Sequence, residues 1–577
     1  MNQASDIQDA SIAELVPELD QLAVDAMADW QVPGAALVVV KDGKVALARA
    51  WGQRDIEAGL PVTPSTHFVI GSITKSFTAT AVALLHGEGR LDWTKPVRDY
   101  LPEFRLHDAV ATDRVTVIDL LCHRTGLPRH DWVHLPGDRK ASELLEPMRH
   151  LEPSRDIRTT WQYNNLCYNA AGLLIERVSG QPYETFIRSR LTDKLGMTVS
   201  FSLDELEASA EPARPYMMHE DERLPALRLP IRTTAAGAIN TSVADLAQWM
   251  RLHLAKGECE GERLVPTALI NELQAPRLYY AAPSNVEFGD AHYGLGLRSI
   301  HYRGDRLVWH GGGWIDWNTL MVLVPDLGLG IAVFTNHSSN EVSPILAWYV
   351  LDRLRKRDPV DWRGRTRKRR QDALAHLQAN KEARVKARHA NTRPAHDLGA
   401  YVGDYEHPAY GVMSVRQQDS SLQWSWRGMS ATMAHRHYET FELPAIKDRL
   451  LPDGLAITFL TDREGDIVSL SAPLEPMVRD VVFARLAAGE CMDAGFRARC
   501  VGRFKSGAIT HHVTLTEEGQ LVLKSEFQPS YSLVPLQGRR FRLVELDGFS
   551  VEFRGDAIID EVVFHQPYGT AVAKRIE

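Results

Sequence analysis

The stretch Phe68-Val69-Ile70-Gly71-Ser72-Ile73-Thr74-Lys75-Ser76-Phe77 follows a β-like run ending at Ile70 and opens an apolar helical run from Phe77 to Leu85. It holds the only Ser-x-x-Lys in the chain. Residues three apart share one helix face, so the Lys75 ammonium can reach the Ser72 hydroxyl. A serine at a helix start also lies among unpaired backbone N–H groups that can stabilise a developing oxyanion. A nucleophile needs both a proton acceptor and such donors. Alone, the motif reads better as a helix-capping serine followed by a surface lysine.

Two further segments give it company. Tyr163-Asn164-Asn165 is the only Tyr-x-Asn, and it precedes a helical run from Tyr168 to Val178. His310-Gly311-Gly312-Gly313 lies between β-like runs at Arg306–Trp309 and Leu320–Val324. In order and spacing the three segments resemble the active-site elements of the serine β-lactamase and penicillin-binding-protein superfamily. The resemblance is closest to the class C-like branch, with its D-aminopeptidases, D-amino-acid amidases and esterases of β-lactamase fold. It extends to Val32-Pro33-Gly34-Ala35, to Leu120-Leu121-Cys122-His123-Arg124-Thr125-Gly126-Leu127-Pro128 (Thr125 standing where serine is usual), to Leu195-Gly196-Met197, and to Ala235–Ala238 with Ser242–Trp249. It covers roughly Val32 to Trp348.

The resemblance implies an α+β catalytic domain, an antiparallel sheet flanked by helices with an all-helical subdomain. It also implies roles. Ser72 attacks an amide or ester carbonyl, and Lys75 and Tyr163 handle its proton, with Tyr163, partly held as phenolate beside Lys75 and His310, the favoured base. Asn165 contacts substrate, and the N–H groups of Ser72 and Gly313 form an oxyanion hole on an edge strand. His310 stands where β-lactamases carry lysine. Histidine is largely neutral at physiological pH, so an anchor for a substrate carboxylate is weakened. The implied activity is a serine hydrolase of small amides or peptides, including D-amino-acid-containing ones; a carboxylesterase or weak β-lactamase is the alternative. No metal or cofactor is required. There is no Gly-x-Ser-x-Gly, no His-Glu-x-x-His and no phosphate-binding glycine loop ending in Lys-Ser/Thr.

At 577 residues and 44% hydrophobic content the chain has ample material for several domains. Five cysteines without a C-x-x-C pair read as reduced residues of a cytoplasmic protein. No Lys or Arg precedes Lys41, and Leu15, Leu19, Leu22 and Ala26 fall at helical spacing, which predicts an amphipathic helix rather than a secretory signal. No apolar run is long enough to cross a bilayer, so neither a membrane nor a nucleic acid is an expected partner. The expected partner is a small-molecule or short-peptide substrate, with homo-oligomerisation left open.

The net charge of −8 is unevenly spread: Arg353 to Arg393 holds 15 Lys/Arg against 4 Asp/Glu. The stretch reads as a solvated, partly helical linker lying against acidic neighbours, the other reading being a nucleic-acid or targeting patch. After it the chain turns to short β-like segments with a faint repeat. Tyr401–Tyr405 resembles Cys500–Phe504, and Leu422, Phe441 and Phe459 correspond to Leu521, Phe541 and Phe553. A spacing near one hundred residues suits one small antiparallel barrel per copy. The expected division is a serine hydrolase domain over 1–352, a basic linker over 353–397, a lipocalin-like β-barrel over 398–487 and a second β-barrel over 488–577.

Overall fold

The structure, a computed structural model, describes residues 9–219, 222–225, 227–338, 340–444, 454–546 and 548–577. It divides into two compact units, Met1–Ala387 and Arg388–Glu577. The first is built on a nine-stranded antiparallel sheet. Its strands are β1 (Gly34–Lys41), β2 (Lys44–Asp55), β3 (Leu60–Pro61), β4 (Leu278–Ala281), β5 (Ala291–Tyr293), β6 (Arg298–Tyr302), β7 (Asp305–Trp314), β8 (Trp317–Val324) and β9 (Leu329–Thr335), in the spatial order β4-β5-β6-β7-β8-β9-β1-β2-β3. The first strand of the sheet in chain order therefore pairs with its last, Ala35 opposite Thr335 and Lys41 opposite Leu329.

Every residue of β1 is buried, because both sheet faces are covered. On one face lie α1 (Asp9–Trp30) and a helix at Val342–Leu354, whose Leu15, Leu19, Ala23, Ala26, Ile345 and Leu346 pack on Leu37, Val39, Val322, Ile331 and Val333. The periodic apolar positions read in the N-terminal segment are the ones that face the sheet, apart from the partly buried Leu22. On the other face the helix Val243–Leu254 sets Met250 against Gly330.

The helix that opens at the Ser-x-x-Lys motif, α2 (Thr74–Gly87), is buried almost all round. Its small residues let neighbours close in, and its hydroxyls return to carbonyls: Thr80 Oγ1 donates to Ser76 O at 2.8 Å and Thr78 Oγ1 to Ala235 O at 2.7 Å. Trp249 stacks on Phe77 and donates to Ser76 Oγ at 3.0 Å. Packing, with few capping contacts, holds this helix in place.

The basic stretch contains a helix at Trp362–Lys386 belonging to the first unit. Its first turns bind acidic side chains: Arg363 pairs with Asp25 and Asp29 of α1, and Arg365 with Glu287. These contacts account for part of the local charge without a nucleic acid. Among the described residues no helix is long and apolar enough to cross a membrane.

The second unit holds two closed eight-stranded antiparallel barrels. One runs from Gly403–His407 to Val481–Arg485 and closes by pairing Tyr405 with Arg485; the other runs from Gly502–Ser506 to Gly569–Arg575 and closes by pairing Phe504 with Arg575. The repeat seen in the sequence maps strand onto strand. Tyr405 and Phe504 sit on the first strands, Leu422 and Leu521 on the third, Phe441 and Phe541 on the fifth, and Phe459 and Phe553 on the sixth; all are buried.

Candidate active site

A single turn of 3-10 helix at Gly71–Ile73 leads into α2 and carries Ser72. Gly71 adopts a left-handed φ of 51°, and a methyl placed on it would lie 2.6 Å from the backbone nitrogen of Gly313. A methyl on Gly312 would lie 1.8 Å from the carbonyl oxygen of Ile70. The glycines of the third motif thus let strand β7 run directly beside the turn that holds Ser72. Strand β7 lies between β6 and β8 and is no edge strand as a whole. Its pairing with β6 ends at Trp309, so His310–Trp314 is left open on the side that faces the Ser72 turn. The edge expected from the sequence exists only over that half, because β6 is five residues long and β7 is ten.

Ser72 is partly exposed, whereas Lys75 is 0% exposed. Lys75 Nζ lies 3.0 Å from Ser72 Oγ, 2.9 Å from Asn165 Oδ1 and 2.7 Å from the carbonyl oxygen of Ala236. The Tyr163 hydroxyl donates to Ser72 Oγ at 2.6 Å. Residues 72, 75, 163 and 165 are therefore one hydrogen-bonded cluster. The Leu120–Pro128 segment positions the tyrosine: Gln162 N donates to His123 O at 2.7 Å, Asn164 N to His123 Nδ1 at 3.1 Å, and Asn164 Nδ2 to Pro128 O at 2.5 Å. Asn164 also caps the helix α3 (Asn165–Ser179) through Cys167 N.

Burial and the nearby guanidiniums of Arg129 and Arg298 push the Lys75 ammonium well below its ordinary range, against the opposing pull of Asp131. Burial pushes the Tyr163 phenol up, although its bond to Ser72 and the same two arginines oppose the shift. The sequence reading of Tyr163 as partly phenolate is thus not the form this environment favours. His310 is 1% exposed, with Nε2 3.0 Å from the Tyr293 hydroxyl and Nδ1 2.6 Å from Gly311 O. Burial and the neighbouring Arg298 guanidinium hold it neutral, well below its usual value. Its ring is engaged with Tyr293 and the strand, not with the Tyr163 hydroxyl.

Four contributors carried no motif. Asp131 accepts from Asn165 Nδ2 at 3.2 Å and opens a three-residue 3-10 turn, Asp131–Val133, too short to show periodicity. Arg129 stacks over the Tyr163 ring at 5.1 Å. Arg298 on β6 is surrounded by the rings of Trp161, Tyr163, Tyr280, Tyr293 and Trp309, all within 5.9 Å of its guanidinium carbon. Tyr293, on β5, packs against His123 and His310. Among the described residues no group of three His, Cys, Asp or Glu side chains could hold a metal ion.

The Beta-lactamase family profile matches residues 19–356, and a profile described as a domain of unknown function (DUF3471) matches residues 387–485. An unguisins hydrolase of Aspergillus campestris is 29% identical over 429 residues, covering 70% of this chain and 78% of that protein. Its counterpart in Aspergillus violaceofuscus is 26% identical over 437 residues, covering 69% and 76%. Among solved structures, the octameric penicillin-binding protein homologue of Pyrococcus abyssi superposes with a TM-score of 0.53 at 24% identity, over 81% of this chain and 99% of that one; this likeness is one of fold. With the profile spanning more than half of its residues, this chain belongs to the β-lactamase family of hydrolase fold.

Proposed function

We propose that the chain is a serine hydrolase that opens small amides or peptides through an acyl-enzyme on Ser72. The observation that carries this reading is the placement of Ser72 Oγ between a fully buried Lys75 amine and a protonated Tyr163 hydroxyl. A neutral Lys75 takes the Ser72 proton as Oγ attacks the carbonyl carbon. The developing oxyanion is met by the N–H groups of Ser72 and Gly313, a role that the close approach of β7 to the Ser72 turn supports. An amine leaving group must be protonated as its C–N bond breaks. Tyr163 O–H, already directed at Ser72 Oγ, supplies that proton and regains one from Lys75. Water then enters as the second nucleophile, and the acyl–oxygen bond to Ser72 is cleaved.

The built-in proton donor favours amides over esters, whose alkoxide leaving groups depend less on protonation. The relatives named as unguisins hydrolases support a hydrolase, and the D-aminopeptidase-like order of a hydrolase domain followed by two barrels supports a peptide substrate, including one with D-residues. A neutral, enclosed His310 offers no fixed charge to a β-lactam carboxylate, which speaks against β-lactamase activity. Five unpaired cysteines, four of them buried, support a cytoplasmic site of action. The test is turnover of a panel of L- and D-aminoacyl anilides, short peptides, p-nitrophenyl esters and penicillins. Amide and peptide turnover that disappears in Ser72→Ala is expected. Ester turnover alone would replace the amidase reading with an esterase one.

A further inference from the structure

We propose that Asp131 is a positioning residue: it fixes the orientation of the Asn165 amide so that the lone pair of Lys75 is left for Ser72. The inference rests on the reading of Lys75 as the base. A neutral amine has two N–H bonds and one lone pair, and Lys75 Nζ has three polar neighbours. The Ala236 carbonyl can only accept. The Ser72 hydroxyl can donate or accept. Asn165 presents either its oxygen or its NH2, depending on which way the amide is turned. If the oxygen faces Lys75, both N–H bonds are used on Ala236 and Asn165, and the lone pair has only Ser72 to turn to. If the NH2 faces Lys75, the lone pair is drawn to Asn165 and Ser72 loses its acceptor.

Asp131 decides between the two. An ionised carboxylate accepts only, so the Asn165 NH2 must face it, at 3.2 Å, and the oxygen must face Lys75. The carboxylate is kept ionised. Burial opposes this, but the hydrogen bond from His134 Nε2 at 3.1 Å and the Arg129 guanidinium, with Nε 2.6 Å from Oδ2, hold Asp131 below the usual carboxylate range. Of the other groups facing Lys75, Tyr163 and Tyr168 present ring faces at 4.8 and 5.3 Å, Arg129 and Arg298 disfavour the ammonium by their charge, and burial holds His123 and His310 neutral.

The experiment compares the full-length wild type with Asp131→Asn, Asn165→Asp and the double variant, each checked by circular dichroism. Wild-type labelling at Ser72 by a fluorophosphonate is measured alongside. Asp131→Asn is nearly isosteric but can offer its own NH2, freeing the Asn165 amide to turn; kcat should fall about 100-fold with KM changed less than about threefold. Asn165→Asp sets two carboxylates against each other and should be as poor. The double variant reverses the polarity of the bond, because the new carboxylate at 165 accepts from both Lys75 and the new amide at 131. It should recover at least about tenfold over either single variant. Its acid limb should lie at higher pH, since a carboxylate beside Lys75 favours the ammonium. Asp131→Asn within about threefold of wild type overturns the inference. So does a double variant no better than the singles with an unmoved acid limb, the signature of a merely structural contact. If wild type labels at Ser72 while the variants behave in those ways, the inference alone fails. Absence of Ser72 labelling in the wild type overturns the proposed function and the inference with it.

Discussion

Replacing Gly312 with alanine tests whether the approach of β7 to the Ser72 turn supplies the oxyanion donor. The added methyl would sit 1.8 Å from Ile70 O and 2.3 Å from Thr319 Oγ1. The Thr319 hydroxyl can rotate, but the Ile70 carbonyl is backbone. An ordinary contact there needs at least roughly 3 Å, so the strand and the turn must separate by about 1 Å. Gly313 N moves with the strand, and Ser72 lies two residues beyond Ile70. A displacement of that size removes a positioned donor, which costs about 100- to 1,000-fold in kcat, or about 3–4 kcal/mol of transition-state stabilisation. Overpacking should also cost about 1–3 kcal/mol of stability. Gly311→Ala is the control. Its methyl would find its nearest neighbour at 3.7 Å, and residue 311 is not among the glycines of positive φ. The assay is steady-state turnover of an anilide or peptide substrate, with thermal unfolding of each variant. Gly312→Ala within about threefold of wild type, or Gly311→Ala equally impaired, would refute the reasoning.

Other perturbations follow from the same structure. Lys75→Arg puts a permanent cation in place of the neutral amine, so turnover should drop by about 1,000-fold and the acid limb of kcat/KM should vanish from the pH profile; in the wild type that limb should lie well below the free-lysine value, activity falling as pH falls because protonation removes the base. His253 is fully buried with both ring nitrogens unpartnered, and burial holds its pKa down to about 3. The unfolded chain therefore binds a proton that the folded one refuses between about pH 6.5 and 3, and unfolding free energy should fall by up to about 1.4 kcal/mol per unit as pH drops through that window. Chemical denaturation of wild type and His253→Leu at pH 7 and 5 reads this; identical pH slopes would contradict it. Arg363→Ala removes a half-exposed pair of ionic contacts to Asp25 and Asp29, and should cost about 1 kcal/mol or less in the same assay, with activity retained.

What the sequence discloses here follows from which signals are local. Ser72 and Lys75 are three residues apart on one helix, and Tyr163 and Asn165 border the next, so local spacing places each pair. The alternation of buried aromatics places Tyr405 and Phe504 on equivalent strands, because a barrel repeats the same inward positions. Asp131 and Arg298 are invisible by comparison. One opens a three-residue 3-10 turn and the other lies in a five-residue strand, both too short to carry a pattern, and only tertiary packing brings them to Asn165 and to the five rings. The upward shift of the Tyr163 phenol is equally out of reach, since it is set by how completely the ring is buried. The half-open edge of β7 depends on the shortness of its neighbour, a property of pairing and not of β7 itself.

The central claim is that Ser72 carries the acyl group, and the most direct measurement is intact-protein mass spectrometry of enzyme quenched during turnover of a slow amide or ester substrate, followed by peptide mapping. The account predicts an adduct whose added mass is that of the substrate less its protonated leaving group, on the peptide containing Ser72, absent from Ser72→Ala and accumulating in Tyr163→Phe with an activated ester. An adduct on any other residue, or turnover that persists in Ser72→Ala at the wild-type rate, would contradict it.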